Sequence, residues 1–232
     1  MAKALDLYAR IEPLIPYQEE IEGLHHRYLK QLKSHKIRTL LDIGCGSGDL
    51  LLKAEMMGVE GFGIDLSSEM IERAQAAGAQ AEAIDLCDHT GHYDAATAVF
   101  DVLNYLDSPA LERFLGCVVR VLSEGGIFIA DINTLYGFKE IAQGALVLEN
   151  GPVHATVDSH YESGCLTSEI RLFEPDSEGL YRRYDGEILQ YYHTEEEIIQ
   201  VAQKVGLALH GRESIALYGK KPDKTLLTFK RL

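Results

Sequence analysis

Leu40-Leu41-Asp42-Ile43-Gly44-Cys45-Gly46-Ser47-Gly48-Asp49-Leu50 decides how the rest of the chain is read. An apolar run, Thr39 to Ile43, ends in three glycines spaced two apart, and an apolar-periodic segment, Leu50 to Met57, comes at once after them. That order reads as strand, tight turn and helix. Glycines at such a turn permit positive φ and let a ligand come close to the backbone. The helix start adds unpaired N–H groups and a positive dipole end. Together these features imply a nucleotide-like ligand at the first strand of an α/β sheet. The spacing is G-x-G-x-G, not the G-x-G-x-x-G that cradles a pyrophosphate. Asp42 also stands where it would repel the phosphates of a dinucleotide.

With Asp42, Gly44, Cys45, Gly46, Ser47 and Gly48 in place, the stretch resembles motif I of class I S-adenosylmethionine (SAM)-dependent methyltransferases. SAM carries an ammonium, a sulfonium and one carboxylate, so an acid beside the glycines suits it. A Gly-rich turn with no ligand is the plainer alternative. The second and third strands bear on that choice. Val59 to Ile64 reads as a second strand ending in Asp65, 17 residues after Gly48. An acid there is placed to accept both hydroxyls of a ribose. Ser67 or Ser68 then caps a helix. Ala79 to Ile84 reads as a third strand, with Asp85 and Leu86 directly after it. In the family an acid here receives the adenine amino group, with Asp88 as fallback if the register slips; a simple turn Asp is the other reading.

Tyr93 to Leu106 resembles motif IV of the same family. Its apolar run Ala95 to Phe100 suits a strand buried on both faces, and Asp101, Asn104 and Tyr105 border the transfer site. Pro109 opens a helix through Leu122, Glu124-Gly125-Gly126 ends it, and Ile127 to Ile132 forms a fifth strand. Alternating β and α units predict a parallel sheet. Leu207 to Leu217 and Thr225 to Lys230 supply the antiparallel edge expected in the family. The resemblance thus implies an α/β, doubly wound, mostly parallel seven-stranded sheet in a single domain, residues 1–232.

Two pieces elaborate it. Residues 1–35 read as a helical lid broken at Pro13 and Pro16, with Tyr8 and Tyr17 flanking the break. Residues 150–193 read as an inserted antiparallel β unit, with strands Val153 to His160, Cys165 to Phe173 and Tyr181 to Tyr192. Gly144 to Pro152 resembles a boundary. Thr194 and Glu197 form a capping box for the next helix.

The resemblance assigns to the cofactor Tyr8, Tyr17, Asp42, Gly44, Cys45, Gly46, Gly48, Asp65, Leu66, Met70, Asp85, Leu86, Phe100 and Asp101. It implies SAM as methyl donor and SAH as product. For catalysis Asp101, Tyr105 and His193 are candidates, with His154, His160, Tyr161, Tyr191 and Glu187 behind them. Arg171, Arg182 and Arg183 are available to grip a substrate anion. Asp101, Asp131 and Asn133 fall near strand ends, but Ile132 breaks the adjacent Asp-Asn of the Mg²⁺-dependent relatives, so no metal is expected.

Composition narrows the partners. A net charge of −14 argues against nucleic acid and against anionic membranes. No apolar run approaches the ~20 residues of a membrane span. Met1 to Arg10 has no signal-peptide pattern. Cys45, Cys87, Cys117 and Cys165 are far apart and form no C-x-x-C, which points to free thiols in a cytoplasmic protein. The expected function is methyl transfer to an O or N of a small molecule, by a monomer or homodimer. A non-catalytic SAM- or SAH-binding protein using the insertion for interaction is the alternative. A Rossmann oxidoreductase is disfavoured by Asp42 and the glycine spacing.

Overall fold

The computed structural model describes residues 2–232; Met1, the first residue of the Met1 to Arg10 stretch, lies outside them. The apolar run before the glycines is strand β1 (Thr39–Ile43). It sits between β2 (Glu60–Asp65) and β4 (Tyr93–Ala98), with β3 (Ala81–Ala83) outside β2 and β5 (Leu122–Asn133) outside β4; neighbouring pairs are parallel. β11 (Lys224–Arg231) pairs antiparallel with β5, and β10 (Leu207–Ile215) antiparallel with β11. The strand order reverses direction between β1 and β4. Loops leaving those two strands therefore diverge and open a crevice at their carboxyl ends.

Both faces of the sheet are covered, which explains its small, apolar central strands. Successive residues of a strand point to opposite faces, and Leu40 and Leu41 join different cores. One core lies under α2 (Gln18–Ser34), α3 (Asp49–Glu55) and α4 (Ser68–Ala76); the other under α5 (Ser108–Val121) and α6 (Glu195–Lys204). Ala95, Ala96, Thr97 and Ala98 of β4 are wholly buried. Ser67 caps α4 by accepting a bond from Met70 N–H, Asp107 caps α5, and Thr194 with Glu197 forms the capping box of α6.

The antiparallel unit has four strands, not three: β6 (Gly144–Asn150), β7 (Val153–Glu162), β8 (Cys165–Pro175) and β9 (Tyr181–Tyr191). Gly144 to Pro152, read as a boundary, is mostly the edge strand β6, paired from Gly144↔Ser159 to Asn150↔Val153. Glycines at both ends of a short apolar run gave it a linker's signature; its strand character comes from pairing with β7. Helix α1 (Ala2–Ile11) packs Leu7 and Ile11 against Ile170, Leu172 and Ile188 of this sheet. Gly186 passes under Leu7 where a Cβ would come within 2.7 Å of the Leu7 side chain. On its other side α1 reaches α4: Ser67 Oγ donates to Asp6 at 2.7 Å, and the Arg73 guanidinium donates to the Ala9 carbonyl.

The expectation of four free thiols is corrected. Cys87, after β3, is bonded to Cys117 on α5, with Cα atoms 5.2 Å apart. Thirty residues separate them in sequence, but the chain crosses through β4 and α5 brings Cys117 back to the segment after β3. Cys45 and Cys165 are free. The cysteines therefore do not support a reducing compartment in the way their spacing suggested. Among the described residues no helix is long and apolar enough to cross a membrane.

Gly63 on β2 lies under the glycine loop, and a Cβ there would meet Cys45 Sγ and Leu51 Cδ1, both at 2.6 Å. Gly63→Ala is expected to lower unfolding free energy by ~1–3 kcal/mol, the usual cost of overpacking a close-packed core. Urea unfolding of the two proteins measures it; an unchanged midpoint contradicts the packing account.

Candidate active site at the carboxyl end of the sheet

Gly44, Gly46 and Gly48 all adopt positive φ, at 72°, 53° and 82°. The amides of Gly44 and Cys45 donate to the Ile64 carbonyl at 2.8 and 3.1 Å, pinning the turn to β2. The three glycines do different work. A Cβ on Gly46 would meet only Met70 Sδ, at 4.0 Å, so that side of the turn is open. A Cβ on Gly48 would lie 2.9 Å from the Ala79 Cβ and 3.2 Å from that of Ala74. Gly48 thus serves close packing at the start of α3 and does not line the cavity, unlike the other residues assigned to the turn.

A cavity of about 420 Å³ opens beside the turn. Asp42 lines it and is buried, with Thr97 Oγ1 donating to its carboxylate at 2.6 Å. Burial, with the nearby charge of Asp65, pushes the Asp42 carboxyl up to about 7 despite that bond. Asp65 accepts from Gly46 N–H at 3.0 Å and Ser67 N–H at 2.8 Å. Its pKa too is raised, again chiefly by burial. Leu66 and Met70 continue the wall. Asp85 accepts from Cys87 N–H at 2.8 Å and has the Arg113 guanidinium 3.8 Å away, with Leu86 beside it. Asp88 does not line the cavity.

Tyr8 and Tyr17, from the N-terminal segment, and Phe100 and Tyr105, from the loop after β4, complete the assigned residues on this cavity. Sequence reasoning passed over Glu12, His25 and Tyr218, which also line it. Tyr17 and Tyr218 meet edge to face with ring centres 5.2 Å apart. Tyr218 comes after β10, far from every recognisable motif, and only a tyrosine between two antiparallel strands marked it.

The end of β4 carries an unusual backbone. Phe100 and Asp101 both adopt positive φ, 60° and 53°. Asp131, fully buried on β5, accepts from the Phe100 amide at 2.8 Å, the Asp101 amide at 3.0 Å and the Tyr28 hydroxyl at 2.7 Å. Lys224, heading β11 and only 2% exposed, donates to Asp131 at 2.9 Å and also to Asp101. Burial acts to lower the Lys224 pKa, but Asp101 and Asp131 together raise it, so the ammonium is retained. Gln190 on β9 donates to the other oxygen of Asp101. Asp101 is therefore not part of the cavity wall; it sits between Phe100 and Val102, which are.

His193 is buried, away from the cavity, with Nε2 donating to the Leu106 carbonyl at 2.7 Å. His154, His160, Tyr161, Tyr191 and Glu187 do not line the cavity either. Arg171, Arg182 and Arg183 face Glu169, Asp176 and Asp185 on the insertion. The Lys224 ammonium bridges Asp101 and Asp131, where the sequence had raised and rejected a Mg²⁺ site. Among the described residues no group of three or more His, Cys, Asp or Glu is arranged to hold a metal.

Residues 40–126 match the family model described as a methyltransferase domain. A protein of Geobacillus sp. (strain WCH70), named as a putative methyltransferase, is 28% identical over 190 residues, covering 77% of this chain and 76% of its own. A SAM-dependent methyltransferase from Clostridium acetobutylicum ATCC 824 shares the fold at TM-score 0.77 and 22% identity, over 95% of this chain and 94% of its own. The sugar N-methyltransferase KedS8 from Streptoalloteichus sp ATCC 53650 does so at 0.75 and 20% identity, over 100% and 94%.

The raised pKa of Asp42 makes a stability prediction. A carboxyl whose folded pKa of about 7 exceeds its unfolded value of 3.8 is held protonated by the fold. Its contribution is complete below pH ~4 and is lost as pH rises towards ~7. Asp42→Asn, which keeps the acceptor for Thr97, is expected to lose less stability than the parent over that window. Urea titrations at stepped pH measure the difference; parallel profiles contradict it.

Proposed function

We propose that this chain, which belongs to the class I SAM-dependent methyltransferases, passes the methyl group to an oxygen or nitrogen of a small molecule. One observation carries the reading: the glycine turn, Asp42 and Asp65 share a single cavity with the aromatic loop after β4. The residues fit SAM. Acids Asp42 and Asp49 line the turn, where a cationic ligand is welcome and a pyrophosphate is not. Asp65 holds two carboxylate oxygens at the end of β2 for a pair of ribose hydroxyls. Asp85 and Leu86 suit the amino group and face of adenine, and Tyr8 and Tyr17 the methionine end.

When bound, SAM supplies a methyl group activated by its positive sulfur, and the protein's task is to align an acceptor with it. We assign residues 1–35 to a lid over SAM and residues 150–193 to a cover over the acceptor, within one domain. α1 supports this by touching both α4 and the antiparallel sheet. A small acceptor suits a cavity roofed in this way, and the sugar acceptor in the name of KedS8 belongs to the same size class.

Calorimetric titration with SAH is expected to show binding, and Asp65→Ala to weaken it by ~1.5–3 kcal/mol, the range for hydrogen bonds to a charged group. Binding of NAD with no binding of SAH would overturn the assignment. Unchanged SAH affinity in the variant removes Asp65 from the site.

A further inference from the structure

We propose that the methyl acceptor is an amine, drawn to the loop after β4 by the negative charge left uncancelled among Asp101, Asp131 and Lys224; this rests on the methyltransferase reading above. Two carboxylates share one ammonium in this cluster. Asp131 and Lys224 are sealed from water, and Asp101 is nearly so, with its side chain 14% exposed. Charge in such surroundings is poorly screened. Asp131 spends its oxygens on Tyr28, Lys224 and two backbone amides. Asp101 lies outside the wall but between two wall residues, Phe100 and Val102. Lys224 and Gln190 hold its carboxylate from behind and act as positioning residues.

The rest of the cavity disfavours other acceptors. An anionic acceptor, whether carboxylate or phosphate, needs a cation. Arg113 is the one Lys or Arg of the described residues on the wall, and it stands beside Asp85 at the adenine end. His25 is kept neutral, its pKa lowered to about 4 by burial and by Lys53. An alcohol needs a base to take its proton, and the wall carboxyls with raised pKa, Asp42 and Asp65, stand at the glycine turn, where Thr97 and the Gly46 amide hold them. The phenols of Tyr8, Tyr105 and Tyr218 wall this end, and burial first, then acids including Asp101, hold them protonated. Glu12 lies by Arg73, 3.9 Å away, and near Asp49 and Asp65. His193 is turned to the Leu106 carbonyl.

An amine is drawn in as its ammonium, gives one proton to water to free its lone pair, and then needs no side-chain base of the kind an alcohol needs. Its nitrogen lone pair forms the bond to the methyl carbon, and the carbon–sulfur bond breaks with its electron pair kept on sulfur. SAH leaves, and the resulting methylammonium sheds one proton to water. Positive charge moves from sulfur to nitrogen in this step. A fixed negative group beside the nitrogen gains attraction as the charge grows there, which is how preorganised electrostatics favour a transition state.

The test titrates SAH-loaded protein calorimetrically with benzylamine, benzyl alcohol and benzoate. Benzylamine is expected to bind at least about tenfold tighter than either of the others through attraction to that charge. Asp101→Asn is expected to bring it down to the level of the alcohol, with SAH affinity kept. Equal affinities of the three probes on the unaltered protein, or no measurable benzylamine binding, overturn the proposal without any variant. So does a preference that survives Asp101→Asn. Failure of SAH itself to bind counts instead against the methyltransferase reading.

Discussion

The buried carboxylate of Asp131 takes hydrogen bonds from a phenol, an ammonium and two consecutive backbone amides. The donors come from three parts of the fold: Tyr28 from α2, Lys224 from β11, and Phe100 and Asp101 from the loop after β4. Two adjacent residues with side chains in the left-handed region cost about 1–3 kcal/mol each. Hydrogen bonds to a charged group contribute about 1.5–3 kcal/mol each, so the pair made to those amides is of the right size to hold the turn. Without Lys224 the same carboxylate would be a buried, unpaired charge. The antiparallel edge of the sheet is therefore part of the site, because β11 carries the cation that lets β5 present an anion to β4.

A second set of side chains ties the antiparallel unit to the same loop. Asn104 donates to the Tyr191 carbonyl at 2.8 Å and accepts from the Asn133 amide at 2.9 Å, so one amide joins β9, β5 and the loop. Gln190 adds the bond to Asp101. At the far side α1 is wedged between the antiparallel sheet and α4, with Arg10 stacked 4.1 Å over the Tyr184 ring and ion-paired to Glu174. The antiparallel sheet and the cavity wall are thus joined at two points, one through α1 and one through β9.

How much of this the sequence disclosed depends on the range of the interactions. The strand–turn–helix at Leu40 to Leu50, the acid ending β2 and the alternation of β and α units are local patterns, and they led to the sheet and to most of the cavity wall. Within the turn, spacing could not tell Gly46, which faces the cavity, from Gly48, which faces Ala74 and Ala79. Lys224 reads as the polar start of an apolar strand, and its partners lie 123 and 93 residues away. The Cys87–Cys117 bond and strand β6 were hidden for the same reason: each is made by a partner that local pattern does not name.

The two ends of the cavity differ in how their acids are treated, and the difference orders the site. Asp101 and Asp131 are matched in part by a cation the fold supplies itself. Asp42 and Asp65 have no ion-pair partner among the described residues, and burial raises the pKa of both. A buried carboxyl whose pKa is raised is destabilised in its ionised form, and a cationic or hydroxyl-bearing ligand relieves that cost by supplying the missing donors. The glycine turn is then more than a gap for a ligand. It places the Gly46 amide on Asp65 and leaves the adjoining space open, so that the donors these acids lack must come from whatever fills the cavity.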